Sequence, residues 1–124
     1  MRVGIDAQPI GEVRNALSAH GESYMTRLFT AQEIEDCGGR DLGPASAESL
    51  AARFAAKEAT IKVLRVTDRI PSWREIEVIR EQGGWVSLRL TGLASELAEA
   101  AGMTEFDVSL THTHDLAVAV VVAA

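Results

Sequence analysis

The chain has 124 residues, a formal net charge of −6, and no run or tail of Lys and Arg residues. These features exclude a general nucleic-acid binder, which needs a dense positive surface to neutralise phosphates. A chain of this length forms one domain with little room for a deep active site of its own. We therefore predict a single domain over residues 1–124, and a site shared between subunits is one alternative.

The cysteine content and the apolar segments indicate the cellular setting. Cys37 is the only cysteine, so an intramolecular disulfide cannot form. The N-terminal segment carries an acid at Asp6 and is unlike a signal peptide. The apolar run over 116–124 is too short to span a bilayer. We therefore expect a soluble, cytoplasmic protein with no membrane partner.

The first part of the chain predicts one strand and a helical segment. Val3 and Ile5 alternate with Gly4 and Asp6, which predicts a strand that ends at Asp6. Pro9 and a following glycine then break the strand. The segment 12–28 is predicted to be helical, in one or two pieces, with an interruption near the glycine at position 21.

Two capping signals follow. Thr30 and Glu33 have the spacing of a capping box, which predicts a short helix that ends at about Asp36. The glycine-rich segment 38–45 is predicted to be a loop. Ser46 is in place to cap the next helix, which is expected to run to about residue 65.

The second half of the chain predicts four strands and one short helix. Alternating apolar residues on both sides of Gly83 and Gly84 predict a β-hairpin. The remaining elements are a short helix over 93–101 and strands over about 106–111 and 116–123, with a tight connection at 113–115. Early helices and late antiparallel strands favour the α+β class over a doubly wound parallel sheet.

The long central helix carries charged residues among apolar ones. One face has large apolar residues at helical spacing, and the opposite face has small ones. The charged side chains are Arg53, Lys57, Glu58 and Lys62. A helix packed on both sides desolvates them, so each needs a partner. Glu58 and Lys62 could form an ordinary surface pair, whereas three gathered cations in an acidic protein also suit a bound phosphate or pyrophosphate.

Three other features each allow more than one interpretation. Asp6 suits a turn or cap, but paired with Glu58 it would give an oxygen-only site of the kind that Mg²⁺ prefers. His112 and His114 lie near a strand end, where zinc lacks further ligands of suitable spacing; contact with a phosphate is preferred, and a structural role stays open for His114. The glycine pair that begins at Gly83 forms a hairpin turn or admits a flat ligand.

Four segments then point to a family by their order and spacing: 4–6 (Gly-Ile-Asp), 27–30 followed by Glu33, 53–59 (Arg-Phe-Ala-Ala-Lys-Glu-Ala) with Lys62, and 109–113 (Ser-Leu-Thr-His-Thr). On these segments the chain resembles holo-acyl-carrier-protein synthase, the small trimeric class of phosphopantetheinyl transferases, over nearly its whole length. The resemblance implies a small antiparallel sheet wrapped around a long central helix. It also implies a homotrimer with sites at the subunit interfaces.

The resemblance further implies a Mg²⁺-dependent transfer of phosphopantetheine from coenzyme A to a serine of an apo acyl carrier protein or carrier domain, with release of adenosine 3',5'-bisphosphate. Asp6 and Glu58 would hold the metal, and either Glu58 or a metal-bound water polarised by Asp6 would act as the base. Lys62 would stabilise or protonate the leaving group. The residues implied to contact coenzyme A are Arg53, Lys57 and Lys62 at phosphates, His112 and Thr113 near the adenosine end, and Gly83 beside the adenine.

Among several positions that depart from the family pattern, two bear on the ligand and on the carrier. Trp85 stands where the family usually has a proline two residues after the hairpin glycine, which would alter the wall of the adenine pocket. Glu12 stands where the family typically places an arginine that meets the acidic carrier protein, and this reversal of charge would weaken docking. These departures leave a second hypothesis open, a non-catalytic relative that binds coenzyme A or a nucleotide. The carrier could also be a specialised one, from polyketide or fatty-acid assembly.

Overall fold

A computed structural model of the chain describes residues 1–39 and 44–124. The described elements follow in chain order: β1 (Arg2–Pro9), α1 (Ile10–His20), α2 (Glu22–Leu28), α3 (Ala31–Asp36), α4 (Pro44–Leu64), β2 (Ile76–Arg80), β3 (Val86–Leu90), α5 (Gly92–Ala100), β4 (Phe106–His112) and β5 (Leu116–Ala123). A single 3₁₀ turn, Trp73–Glu75, leads into β2. The α+β class is confirmed.

Two antiparallel sheets lie against the long helix α4. One has the strand order β1-β5-β4, and the other is the hairpin of β2 and β3. Along β5 the buried residues alternate with half-buried ones, because successive side chains of a strand point to opposite faces. The buried set, Ala117, Ala119, Val121 and Ala123, belongs to the core. The helix therefore lies on one face of the three-stranded sheet.

The helix α4 is enclosed on more than one side, as its sequence predicts. Small residues allow this enclosure, since Ala51, Ala55 and Ala59 have no exposed surface. At Gly4, a side-chain β-carbon would lie 2.2 Å from the carbonyl oxygen of Ala59. The backbone of β1 therefore approaches the backbone of α4 so closely that only glycine fits. This contact brings Asp6, two residues further along β1, beside the helix.

Several predicted boundaries need correction. β1 does not end at Asp6, because its ladder with β5 continues to the pair Pro9 and Leu116. The first helix consequently begins at Ile10. Ser46 does not cap α4, because the helix already begins two residues earlier, at Pro44. The part of the predicted 38–45 loop that covers 40–43 lies outside the described residues.

Other local predictions are confirmed. Gly21 separates α1 from α2 with a positive φ of 52°, a conformation that favours glycine. Thr30 and Glu33 form the capping box of α3: the Thr30 hydroxyl oxygen accepts from the Glu33 N–H at 3.2 Å, and the Glu33 carboxylate accepts from the Thr30 N–H at 3.0 Å. Within the described residues, no helix has the length and apolar character needed to cross a membrane.

Candidate functional site

The structure gathers three of the predicted site residues into one cluster, formed by Asp6, Glu58 and Lys62. Asp6 projects from β1, and the other two lie four residues apart on α4, which places them on one side of the helix. The Lys62 Nζ donates to the Asp6 Oδ1 at 3.1 Å and to the carbonyl oxygen of Ile5 at 2.7 Å. The close approach at Gly4 is what brings the strand within reach of this helical face.

The close approach of the two carboxyl groups in this cluster favours the protonated form of Glu58. Burial, a hydrogen bond to Asp6 and the charge of Asp6 raise the pKa of Glu58 to about 7, while Lys62 opposes the rise and Glu12 adds to it. Two carboxyl groups share a hydrogen bond only when one of them carries a proton, and like charges held together keep that proton bound. Apart from a proton shared with Glu58, the buried Asp6 Oδ2 has no hydrogen-bond donor among the described residues. When both carboxyl groups are ionised, the cluster therefore has excess negative charge in a confined place.

A cleft of about 490 Å³ opens beside Glu58, and residues of β1, α1, α2 and α4 line it. Glu12 lies on its wall, where its carboxylate accepts a hydrogen bond from the Gln8 Nε2 at 3.1 Å. Arg27 supplies a cationic group and His20 an imidazole on the α1 and α2 side. A molecule that reaches the Asp6–Glu58 pair from this side passes between these walls.

Arg53 and His112 belong to a different cleft, of about 340 Å³. Arg80 and Trp85, from the two ends of the β2–β3 turn, line it as well. The Arg53 side chain is buried, its Nη1 donates only a long bond of 3.4 Å to the Ser49 carbonyl, and its Nε has no partner among the described residues. A buried guanidinium that has no carboxylate partner within the described structure is suited to bind an anion from outside.

Lys57 does not face either cleft, contrary to the expected contact with a phosphate. Its Nζ is enclosed and donates to the Glu33 Oε1 at 2.7 Å and to the carbonyl oxygens of Trp73 and Ile76. Neither Lys57 nor Glu33 has any exposed side-chain surface. Because all three donors of the ammonium group are used inside the protein, none is left for a ligand in this structure.

Of the remaining predicted residues, His112 lines the second cleft, whereas Gly83, Thr113 and His114 do not. Gly83 supports the Trp85 ring in the β2–β3 turn. The Thr113 hydroxyl accepts from the Leu116 N–H at 3.3 Å in the β4–β5 turn, so it is partly used locally. His112 is half-exposed and its Nδ1 lies 3.8 Å from a Glu48 carboxylate oxygen, whereas His114 is largely exposed.

The sequence interpretation did not predict the contacts of three residues that support or line the site. Glu33 was assigned a capping role and a place in a family segment, but its carboxylate also accepts the Val78 N–H at 3.0 Å and pairs with Lys57. Arg80 lies at the end of β2, and pairing across the hairpin is the signal that would have placed it beside the turn. Gln8 gave no signal, because nothing in the sequence shows that β1 extends past Asp6.

The two groups of site residues lie on different sides of α4. Arg53 and Glu58 are five positions apart, a rotation of about 140° around a helix of 3.6 residues per turn. The residues that line the two clefts do not overlap. One chain therefore presents a cluster of carboxylates with a lysine on one side, and a cationic cleft on another. An acidic pair near a lysine, together with a separate set of cations, is suited to a ligand that carries phosphate groups.

Comparison with known proteins specifies the class further. The family model of the 4'-phosphopantetheinyl transferase superfamily matches residues 2–121. A relative from Chloroflexus aurantiacus, named holo-[acyl-carrier-protein] synthase, is 40% identical over 97% of this chain and 95% of its own length. A solved ACPS–CoA complex from Chronobacterium ammoniagenes is 31% identical, with a TM-score of 0.80 over 96% of this chain and 92% of that one.

The fold is also shared with a holo-[acyl-carrier-protein] synthase from Helicobacter pylori, solved in complex with coenzyme A. That structure has a TM-score of 0.84 over 99% of this chain and the whole of that one, at 24% identity. The chain belongs to the 4'-phosphopantetheinyl transferase superfamily. The family resemblance of the four sequence segments is thereby confirmed.

Proposed function

We propose that the chain transfers the phosphopantetheine arm of coenzyme A to a serine of an apo acyl carrier protein or carrier domain, and releases adenosine 3',5'-bisphosphate. The observation that carries the proposal is the cluster of Asp6, Glu58 and Lys62, in which a buried carboxylate oxygen lacks a donor. Similarity to known proteins also supports the proposal, since relatives that match nearly the whole chain are named holo-[acyl-carrier-protein] synthase.

Asp6 and Glu58 would hold a Mg²⁺ ion in this site. A dication would bind the Asp6 oxygen and offset both the burial and the negative charge of Asp6, which raise the pKa of Glu58. Among the described residues, no group of three or more His, Cys, Asp or Glu side chains could hold a metal. The other ligands would therefore be phosphate oxygens and water. When bound, the ion supplies positive charge against the pyrophosphate of coenzyme A.

The reaction forms a bond between the serine oxygen and the β-phosphorus of coenzyme A. It breaks the bond from that phosphorus to the bridging oxygen, which leaves with adenosine bisphosphate. The serine proton goes to a base, either Glu58 or a water oriented by Asp6. Lys62, exposed beside Asp6, would stabilise or protonate the leaving oxygen.

The second cleft would bind the nucleotide part of coenzyme A. Arg53, with its unpartnered Nε, and Arg80 would neutralise phosphate charge there. His112 would contact the adenosine end, and Thr113 and Gly83 lie in the two turns beside that part of the cleft. In this proposal Lys57 contributes through the fold, because its Nζ is fully bonded to protein atoms.

We infer that the active unit is a homotrimer with sites at the subunit interfaces. The β1 and β5 part of the outer face of the three-stranded sheet is apolar, with Val3 68% and Ile5 58% exposed. Neighbouring half-buried residues on β5 extend this face: Val118, Val120 and Val122. An exposed apolar sheet face calls for a partner. Assembly would also join the carboxylate cluster of one subunit to the cationic cleft of another.

The carrier partner would approach the carboxylate cluster through the cleft that Glu12 lines. A negative charge at this position repels an acidic surface. We therefore infer a carrier protein or domain of fatty-acid or polyketide assembly whose surface opposite Glu12 is not acidic. All these reactants are water-soluble, which supports a cytoplasmic location.

One experiment tests the proposed reaction. The protein is incubated with coenzyme A, Mg²⁺ and several apo carrier proteins, and each product is analysed by intact mass. We expect a gain of one phosphopantetheine on at least one carrier, and a loss of about 100-fold or more in rate for Glu58→Gln. The control is Glu96→Gln, which removes an exposed carboxylate on α5.

The outcome also separates the two hypotheses. Tight binding of coenzyme A without transfer to any carrier would favour the non-catalytic relative. Full activity of Glu58→Gln would contradict the proposed role of the carboxylate cluster.

A further inference from the structure

Trp85 is an exposed aromatic residue that packs on the backbone of its own turn. It is 64% exposed at the turn between β2 and β3, and one side of its ring lies against Gly83. A β-carbon on Gly83 would lie 2.2 Å from the Trp85 Cζ3 and 2.9 Å from its Cε3. The six-membered part of the indole therefore packs directly on the Gly83 backbone, where any side chain would displace it.

The exposed part of this ring lies in a cationic cleft. Arg53, Arg80 and His112 line the same cleft, together with the hydroxyl groups of Ser109 and Thr111. A fixed aromatic surface next to guanidinium groups and hydroxyls combines the contacts that a nucleotide needs. Bases stack on aromatic rings, and phosphates pair with arginines.

A second observation points to a ligand at this place. Arg53 is only 4% exposed, and its Nε has no hydrogen-bond partner in the described structure. Burying a donor without a partner is costly, so an anionic group that bonds to it recovers that cost. Arg53, which would bind the anion, and Trp85 both line one cleft of about 340 Å³.

We propose that Trp85 is a specificity-determining residue that stacks on the purine base of the nucleotide, with Gly83 holding the ring in place. The proposal rests on the proposed function, because the base would be the adenine of coenzyme A. It adds a contact that the hairpin backbone alone does not provide. Stacking of this kind is expected to change the dissociation constant about 10-fold.

Intrinsic fluorescence tests the contact directly, because the chain has two tryptophans. Trp73 packs on Phe54, with ring centroids 5.1 Å apart, and does not line the arginine cleft, whereas Trp85 does. In Trp73→Phe, the remaining signal comes from Trp85, and we expect quenching by adenosine 3',5'-bisphosphate but none by pyrophosphate, which lacks a base. In Trp85→Phe, the signal of Trp73 should not respond to either compound.

Calorimetry supplies the matched measurement of affinity. We expect Trp85→Ala to bind adenosine 3',5'-bisphosphate about 10-fold more weakly and Trp85→Phe to recover most of the loss, while pyrophosphate binds all three forms equally. Unchanged affinity of Trp85→Ala, or equal quenching by pyrophosphate, would overturn the stacking contact. A failure of the proposed function looks different: adenosine bisphosphate quenches Trp85, but no carrier gains mass.

Discussion

Two lysines of α4 each pair with a carboxylate from another element, and the two pairs differ in burial and in their side of the helix. Lys57 and Glu33 are 2.7 Å apart, and neither side chain has exposed surface. Lys62 and Asp6 are 3.1 Å apart, with 57% and 12% of their side chains exposed. The two lysines are five positions apart and so lie on different sides of the helix. The same two chemical groups thus occur once inside the protein and once at its surface.

In the inner pair, formed by Lys57 and Glu33, both charged groups have their hydrogen-bond partners inside the protein. Lys57 uses its three donors, and Glu33 accepts from the Thr30 and Val78 N–H groups as well as from the lysine. Such a network joins α3, α4 and the start of β2. A buried ion pair is stable only when its hydrogen-bonding capacity is met in this way, and its role is therefore structural.

In the outer pair, formed by Lys62 and Asp6, the hydrogen bonds of the carboxylate are incomplete. Asp6 has a second oxygen without a donor, and the neighbouring Glu58 has its pKa raised to about 7 by burial and by the hydrogen bond and charge of Asp6. The difference between the pairs separates structure from function. Polar groups that are satisfied hold the helix in place, and those that are unsatisfied mark where a ligand would complete the site.

The largest expected effect comes from breaking the inner pair. Lys57→Met leaves the Glu33 carboxylate buried without its counter-ion, and we expect a loss of about 3–5 kcal/mol in the free energy of unfolding. Urea denaturation at a fixed protein concentration measures it. Adding Glu33→Gln removes the unpaired charge, so the double variant should lose less stability than Lys57→Met alone.

The matched control is Lys62→Met in the outer pair. Because that lysine is largely exposed, its removal should cost no more than about 1 kcal/mol. If the two lysine variants lost the same stability, the distinction between a structural and a functional pair would fail.

A smaller effect is expected from the contact that places Asp6 beside the helix. Gly4→Ala puts a β-carbon 2.2 Å from the Ala59 carbonyl oxygen, so β1 must shift away from α4. We expect a loss of about 1–3 kcal/mol in stability, measured by urea denaturation, and a fall in transfer rate because Asp6 moves with the strand.

The control for this variant is Gly11→Ala, at the start of α1. A β-carbon there meets no atom within 4 Å, and alanine favours the helix by up to about 1 kcal/mol. Destabilisation by both substitutions would show that the close approach at Gly4 is not the cause.

The sequence predicted the long helix, the hairpin and the last two strands because each has a regular apolar period bounded by glycines or caps. It could not show that β1 extends to Pro9, since that length depends on pairing with β5, a strand distant in sequence. The same limit applies to α4, whose first turn includes Ser46 instead of following it.

The site was predictable only in part. The residues Asp6, Glu58 and Lys62 were proposed together through the family resemblance, and the structure brings them together. The partner of Lys57 was not predictable, because helical periodicity shows which face of the helix a lysine lies on but not which residue of another element contacts it. Its partner Glu33 comes from another helix, 24 residues away.

The smallest expected effect concerns the pH dependence of stability in the outer cluster. The pKa of Glu58 is raised from 4.5 to about 7, so the folded protein keeps a proton that the unfolded chain releases. Stability from this group is present below pH 4.5 and is lost as the pH rises through 7. Glu58→Gln does not titrate, so its melting temperature should exceed that of the unchanged protein by an amount that grows over this window. After allowance for solvent screening, we expect about 1 kcal/mol, or about 4 °C, at pH 8.

Thermal melts at several pH values, with and without Mg²⁺, measure this difference. Added Mg²⁺ should raise the melting temperature of the unchanged protein at pH 8, because a ligand of the folded state stabilises it, and should leave Glu58→Gln almost unaffected. Glu96→Gln serves as the control, since its exposed carboxylate lies outside the cluster. A difference that stays constant from pH 4.5 to 8 would mean that Asp6 and Glu58 do not share a proton, and the outer pair would then resemble an ordinary surface contact.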